Sequence, residues 1–311
     1  MNFSLNAFYS ANGSSKQSVH QSKQRQAVFD QELEQLVVAA DTLKREHPGC
    51  GVEKMYYTLQ PKTMGRDKFC EVFLSLGYGV KRIKNYRKTT IACHINYPNL
   101  IEGLCVNRPN QVVQSDITYF ELNGKFYYIV FIIDVYTKLV LGYEVSNHMR
   151  AEANLKALEK ALKKMSIEPW SLIHHSDRGS QYGSDLYRSK LSSKGIHISM
   201  GLKATDNAYA ERINGIIKNE YLRKWKIKDE QDLKAKTRKA VNHYNTKRKH
   251  RSLGMRYTPQ EFEQSWLALK HQDRPKVIIY TEGKPKLTEA SSLYEYLPRT
   301  DPKAHICPME I

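Results

Sequence analysis

From Gln111 onward the chain leaves helical spacing for strands, and one dipeptide says how they begin. Asn123-Gly124 stands between two strand-forming runs, Val112 to Leu122 and Lys125 to Tyr136. Asn-Gly is a strong hairpin signal, because a two-residue loop of type I′ needs positive φ at both turn positions. The two runs therefore read as an antiparallel pair. A third strand, Leu139 to Ser146, follows at once. Then helices and strands alternate: a helix over Ala151 to Met165, a strand over Ser171 to Ser176, a helix over Ser184 to Lys194 and a strand over Ile196 to Met200. A long helix over Asn207 to Trp225 and another from about Glu230 to Tyr244 complete the pattern, and Thr258-Pro259 opens one more. A meander is antiparallel, whereas strands joined through helices run parallel. This order predicts an α/β fold with a mixed five-stranded sheet and flanking helices.

The region before the sheet has a different character. Residues 1–46 read as helical, with a start near Ser14-Ser15 and a second helix from about Asp30 to Arg45. Leu33, Leu36, Val37, Ala40 and Leu43 share one face of that helix, a stripe too short for a zipper. His47-Pro48-Gly49-Cys50-Gly51 breaks the pattern. Two short helices follow, Val52 to Leu59 and Gly65 to Leu76, and then a basic run from Lys81 to Lys88. Two short helices, a turn and a basic flank resemble a helix-turn-helix, and the plainer alternative is a small bundle with a solvated basic face. The expected division is a helical region over 1–46, a helix-turn-helix-like DNA-binding domain over 47–95, a linker over 96–110, a catalytic core over 111–265 and a tail over 266–311.

Charge and cysteine content narrow the function. With 49 Lys and Arg against 32 Asp and Glu, the net charge is +17, and the pI is near 9.5. That is the footprint expected of a nucleic-acid binder. No apolar stretch approaches the roughly 18 residues of a membrane span, and Met1 to Phe8 shows no secretory pattern. The five cysteines, Cys50, Cys70, Cys93, Cys105 and Cys307, contain no Cys-x-x-Cys pair. This argues against a disulfide framework or a cysteine zinc site and predicts a reduced, intracellular protein.

Three acids stand out by position. Asp116 interrupts the apolar run of a strand, Asp177 ends another, and Glu211 lies in the first turns of the long helix. Carboxylate oxygens suit Mg²⁺ and Mn²⁺, and two such ions clamp the attacking and leaving oxygens of an in-line phosphoryl displacement. Taken singly, Asp177 reads equally well as a strand-end cap, Glu211 as a surface acid and Asp116 as a hydrogen-bonded buried aspartate.

The words around the acids are more specific. Ser115-Asp116-Ile117-Thr118-Tyr119, His175-Ser176-Asp177-Arg178-Gly179-Ser180-Gln181-Tyr182, Gly195-Ile196-His197-Ile198-Ser199-Met200 and Asp206-Asn207-Ala208-Tyr209-Ala210-Glu211 occur in order. Lys218-Asn219-Glu220, Tyr244 to Gly254 and Thr258-Pro259 continue the series. Together they resemble the integrase core of DDE transposases, most closely the OrfB transposases of the IS-three family of bacterial insertion sequences. His47 to Gly51 and Gly65-Arg66-Asp67 resemble the helix-turn-helix region before that core, so the likeness spans roughly residues 45–265. The family commonly has 35 residues between the second Asp and the Glu; here there are 33, with the deletion in the Leu202-Lys203-Ala204-Thr205 loop.

The resemblance implies a ribonuclease H-like core in which Asp116, Asp177 and Glu211 are the catalytic, metal-binding triad for two Mg²⁺ or Mn²⁺ ions. It implies DNA 3′-end cleavage and strand transfer at terminal inverted repeats and target DNA. It also implies a homo-multimer on DNA, an OrfA partner, and a cytoplasmic, nucleoid-associated protein in bacteria. Asp134 is the tempting fourth acid, with a structural role favoured. His175 is the candidate for supporting contacts around the metal site, although a packed strand histidine is an equal reading. Residues 201–256 hold 16 Lys and Arg against 6 Asp and Glu. The DNA-contact candidates are Arg212, Asn214 and Lys218 on the Glu211 helix, then Arg223, Lys224, Lys247, Arg248 and Lys249. Two rivals remain at this point: a nuclease that cuts without joining, and a DNA-binding repressor with an inactive core.

Overall fold

The computed structural model describes residues 9, 11, 13, 15–81, 97–165, 172–201, 204–270 and 274–279. The basic run beyond Lys81, Leu202 and Lys203 of the shortened loop, Cys93, Cys307 and most of the tail lie outside the described residues. The chain divides into two compact units after Lys81.

In the first unit, one helix of 31 residues, α1 (Lys16–Glu46), stands where two were expected. Ser15 and Ser18 close a capping box at its start, which satisfies two of the orphan amides of a first turn. Leu36 and Ala40 of α1 pack against Met55, Phe69 and Phe73, which belong to α2 (Val52–Leu59) and α3 (Arg66–Ser75). Residues divided at position 46 by the sequence pattern thus share one core. The Glu32 carboxylate of α1 accepts the backbone amides of Lys62 and Thr63, tying down the turn between α2 and α3.

The second unit carries the sheet. A two-residue strand, β1 (Cys105–Val106), precedes β2 (Val112–Leu122), β3 (Lys125–Asp134) and β4 (Val140–Ser146). Next come α4 (Ala151–Leu162), β5 (Ile173–Ser176), α5 (Asp185–Ser192), β6 (His197–Met200) and α6 (Ala208–Ile216). The remaining elements are α7 (Glu230–Thr246), α8 (Pro259–Trp266) and a short β7 (Val277–Ile278). The main sheet has the order β4-β3-β2-β5-β6. β2, β3 and β4 are antiparallel neighbours, and β5 and β6 run parallel to β2. This is the mixed ribonuclease H-like sheet anticipated above. Asn123 and Gly124 have φ of 51° and 74°, and Leu122 pairs with Lys125, the two-residue hairpin that Asn-Gly signals.

β3 is apolar without alternation because both its faces are buried. Val130 and Ile132 join α4 and α5 in one cluster. Ile129, Phe131 and Ile133 join α6 and α7 in another. The sheet is the middle of three layers. Helix α4 lies so close to β4 that a Cβ on Gly142 would stand 2.1 Å from the Ala157 carbonyl oxygen.

Two expectations change. The helix expected over Asn207 to Trp225 ends at Ile216 and continues as a π-helical turn, Ile217–Leu222. The linker and tail are not featureless: β1 pairs with β7, and Val106 of β1 shares one buried cluster with Val112, Ile173 and Phe262. Neither strand is long enough for period two to show. Among the described residues no helix is long and apolar enough to cross a membrane.

Candidate active site

Strand register brings the two aspartates together. β2 and β5 run parallel and their last paired residues are Ser115 and Ser176. Asp116 and Asp177 are the next residues on each. Asp116 thus lies within β2 and Asp177 just beyond the end of β5, on neighbouring strands whose axes stand about 4.8 Å apart. Both aspartates, with Thr118, Tyr128, Met149 and Gln181, line one narrow cleft. The Asp177 carboxylate accepts the Gly179 amide at 3.0 Å, which shapes the turn after β5.

Glu211 arrives from the opposite layer. Ala210, Ile213 and Ile217 pack α6 and the π-turn onto the sheet. One turn along the helix from Glu211, Asn214 donates its amide to Asp116 Oδ2 at 2.7 Å. The Asp116 carboxyl is pushed up to about 7. Burial is the largest cause and the Asp177 carboxylate the next, with Glu211 adding to it and the Ile117 amide and Asn214 opposing it. Glu211 is raised for the same reasons, burial and then Asp177. The three acids feel one another.

Among the described residues no group of three or more His, Cys, Asp or Glu side chains is placed closely enough to hold a metal ion. The donor set nonetheless fits a hard divalent cation. It is all carboxylate oxygen, two of its members, Asp116 and Asp177, line one cleft, and its mutual repulsion is what a bound cation relieves. Asp116, Asp177 and Glu211 are the residues that would hold Mg²⁺ or Mn²⁺.

Asp134 stands elsewhere. It pairs with Val113, three residues from Asp116, and accepts the Thr137 amide at 2.9 Å, the Thr137 hydroxyl at 2.6 Å and the Asn110 amide at 3.2 Å. It ties the turn between β3 and β4. His175 is buried and its Nδ1 meets the Ser199 hydroxyl at 2.8 Å. Burial holds it well down, at about 4, so the ring is neutral at pH 7. No contact from it to the three acids is seen.

Two profiles, each described as Integrase core domain, match residues 106–205 and 194–259. The IS600 31 kDa protein of Shigella sonnei is 33% identical over 65% of this chain and 76% of its own length. The transposase of IS904 from Lactococcus lactis is 30% identical over 58% of this chain and 72% of its own. The chain belongs to the insertion-sequence transposases. The IS629 transposase of Shigella sonnei is 36% identical over 52% of this chain, and the match spans 54% of that relative.

Of the side chains expected to meet DNA in this transposase, Asn214 is instead buried against Asp116, and the others divide into three groups. Lys218 lies beside the acids, with Nζ 2.9 Å from the Thr118 hydroxyl and 4.9 Å from the centre of the Tyr119 ring. Arg223 donates to Asn219 at 2.9 Å and, with Lys218, Tyr119 and Trp225, lines a cleft of about 490 Å³ that continues along β2 from Asp116. Arg212, Lys224 and Lys247 are exposed. Lys249 is engaged with Glu261 at 2.8 Å and with the Arg256 carbonyl. Arg248 is a correction. Its side chain is 5% exposed and forms a two-pronged ion pair with Glu220 of the π-turn, at 2.8 and 2.9 Å. A guanidinium so enclosed holds the protein together and cannot reach a phosphate.

Sequence reasoning passed over Gln114 and Asn207. Gln114 accepts the Tyr209 and Ala210 amides, and Asn207 donates to the Ser115 carbonyl at 2.9 Å. The available signal was a lone amide side chain following two valines at the start of the strand, two residues before an acid.

Proposed function

We propose that this transposase catalyses metal-dependent phosphoryl transfer on DNA, first freeing a transposon 3′ end and then joining it to another phosphodiester. The observation that carries this is the placement of Asp116 within β2 beside Asp177 at the end of β5, with the Glu211 helix bonded to Asp116 through Asn214. In the first step a water oxygen bonds to phosphorus and the P–O3′ bond breaks, leaving a 3′-hydroxyl. In the second, that 3′-hydroxyl attacks a target phosphorus and the target's 3′-oxygen leaves. One phosphodiester replaces another, so no nucleotide cofactor is consumed. Mg²⁺ or Mn²⁺, two ions in this reading, would promote loss of the nucleophile's proton and neutralise charge on the leaving oxygen.

The chain's own groups hold the geometry. Asn214 fixes the Asp116 oxygen, and the Gly179 amide fixes Asp177. Lys218 and Arg223 supply positive charge along the β2 cleft, where the phosphates on either side of the reacting one would run. Exposed Arg212, Lys224 and Lys247 extend that surface, with Lys249 at its margin. The helices within residues 47–95 are assigned to binding the terminal inverted repeats, and residues 111–265 to catalysis. A homo-multimer on DNA, an OrfA partner and a nucleoid location complete the proposal.

The test incubates the purified chain with labelled DNA bearing the element's terminal repeat, in Mg²⁺ or Mn²⁺ and in chelator. Metal-dependent 3′ nicking and joined product, both lost in Glu211→Gln, is the expected result. Cleavage without joining indicates a nuclease. Binding with no cleavage, unchanged when OrfA is added, indicates a DNA-binding protein with an inactive core.

A further inference from the structure

Helix α6 begins without a side-chain cap of its own. Its N-cap residue, Asn207, makes no capping hydrogen bond; its amide donates instead to the Ser115 carbonyl in β2 at 2.9 Å. The amides that a cap normally satisfies are those of the second and third helical residues, here Tyr209 and Ala210. Both are taken by Gln114, whose Oε1 accepts from Tyr209 at 3.1 Å and from Ala210 at 3.2 Å. The other end of the same amide, Nε2, donates to the Asp206 carbonyl at 3.1 Å. Gln114 is 0% exposed.

The chain positions at the two ends of this link matter. Gln114 is two residues before Asp116, so both side chains leave the same face of β2. Ala210 is the residue before Glu211. The link therefore joins the strand that carries one acid to the turn that carries another, close to both. Asn214 makes the second tie one turn later, to Asp116 itself. A site of several carboxylates works only when its oxygens are held within about 0.5 Å of their places. Glu211 is the exposed member, on a helix from the facing layer, so its position depends most on such ties.

We propose that Gln114 is a positioning residue: it caps the Glu211 helix from the neighbouring strand and so sets Glu211 against Asp116 for metal binding. The residue type follows from the three bonds. An acceptor is needed for two amides and a donor for one carbonyl, within one uncharged side chain. Glutamate would keep the acceptor and turn a carboxylate oxygen on the Asp206 carbonyl. Methionine has the length and neither function.

This rests on the metal-dependent reading above, and the experiment separates the two. The full chain is prepared as wild type, Gln114→Met and Gln111→Met. Gln111 is the matched control: it is also 0% exposed, and it bonds to Asn107 and Cys105, away from α6. Three quantities are measured: amide hydrogen exchange at Tyr209 and Ala210 without metal, Mn²⁺ binding by titration, and the Mn²⁺ concentration giving half-maximal 3′ nicking. In Gln114→Met, exchange at the two amides should quicken at least about fivefold, the scale of a lost cap. Mn²⁺ affinity should fall and the half-maximal concentration rise by about tenfold or more, the usual cost of losing a group that orients a metal ligand. Gln111→Met should show neither change. Equal shifts in both variants, or quickened exchange with unaltered Mn²⁺ binding, overturn the positioning role. A wild type that neither binds Mn²⁺ nor nicks DNA overturns the metal-dependent reading itself, and is seen before any variant is compared.

Discussion

The buried pair of Arg248 and Glu220 offers the sharpest quantitative test of the structure. Burial by itself would lower the guanidinium's pKa, and its two bonds to Glu220 more than reverse that. The bonds are short and parallel, at 2.8 and 2.9 Å. The two side chains are 5% and 19% exposed, and the cation sits 5.6 Å from the Tyr244 ring centre. Truncating one partner of a buried pair costs about 3–5 kcal/mol. For a unit of this size each kcal/mol is worth about 2–4 °C in Tm, so Arg248→Met should melt roughly 6–20 °C below wild type. Arg248→Lys keeps the charge but loses the planar fork, and should fall between. Arg248→Met combined with Glu220→Leu should regain most of the loss, because no charge is then left behind. Thermal and urea unfolding give these values. The same samples separate structure from DNA contact: folded Arg248→Lys should bind DNA with the wild-type salt dependence. A Tm for Arg248→Met within about 3 °C of wild type would refute the buried-pair reasoning and return Arg248 to the DNA surface.

Three other outcomes follow from single observations. Gly142→Ala would press a methyl 2.1 Å from the Ala157 carbonyl oxygen; a loss of about 1–3 kcal/mol is expected in urea unfolding, and an unchanged midpoint would show that α4 lies farther from β4. Lys138 is buried, its ammonium sits 4.2 Å from the Tyr209 ring centre, and burial lowers its pKa to about 8 from 10.5. The unfolded chain thus holds this proton where the folded one has released it, so stability gains from raising the pH from 8 to 10.5. Lys138→Met should flatten that rise relative to wild type, and an identical profile in both would count against it. Lys218→Ala and Lys224→Ala should each reduce the slope of log affinity against log salt by about 0.9 on duplex DNA, measured by anisotropy; an unaltered slope removes that lysine from the phosphate contacts.

What could be read from the residues followed from how local each signal was. Asn123-Gly124 and the double-sided apolar run of β3 are local, and hairpin, order and layers follow from them. Asp116 and Asp177, ambiguous singly, were identifiable from the short motifs around them, Ser115 to Tyr119 and His175 to Tyr182, which occur in order along the chain. The pairing of Ser115 with Ser176, which sets the acids side by side, is a contact across 61 positions and has no periodicity to announce it. Arg248 shows the opposite limit. In Lys247-Arg248-Lys249 three adjacent cations look alike, and only the fold reveals that the middle one faces Glu220, 28 residues away. The π-turn that presents Glu220 has no sequence signature either, since its residues read as ordinary helix.

The most direct measurement is the rate of metal-dependent 3′ nicking by Asp116→Asn, Asp177→Asn and Glu211→Gln, singly and in pairs, with DNA binding measured on the same samples. If the three carboxylates act as one site, each single change abolishes nicking while DNA binding persists, and each pair is no slower than its singles, because groups that act together are not additive. Substantial nicking by any single variant, or losses that multiply from single to pair, would contradict a shared site.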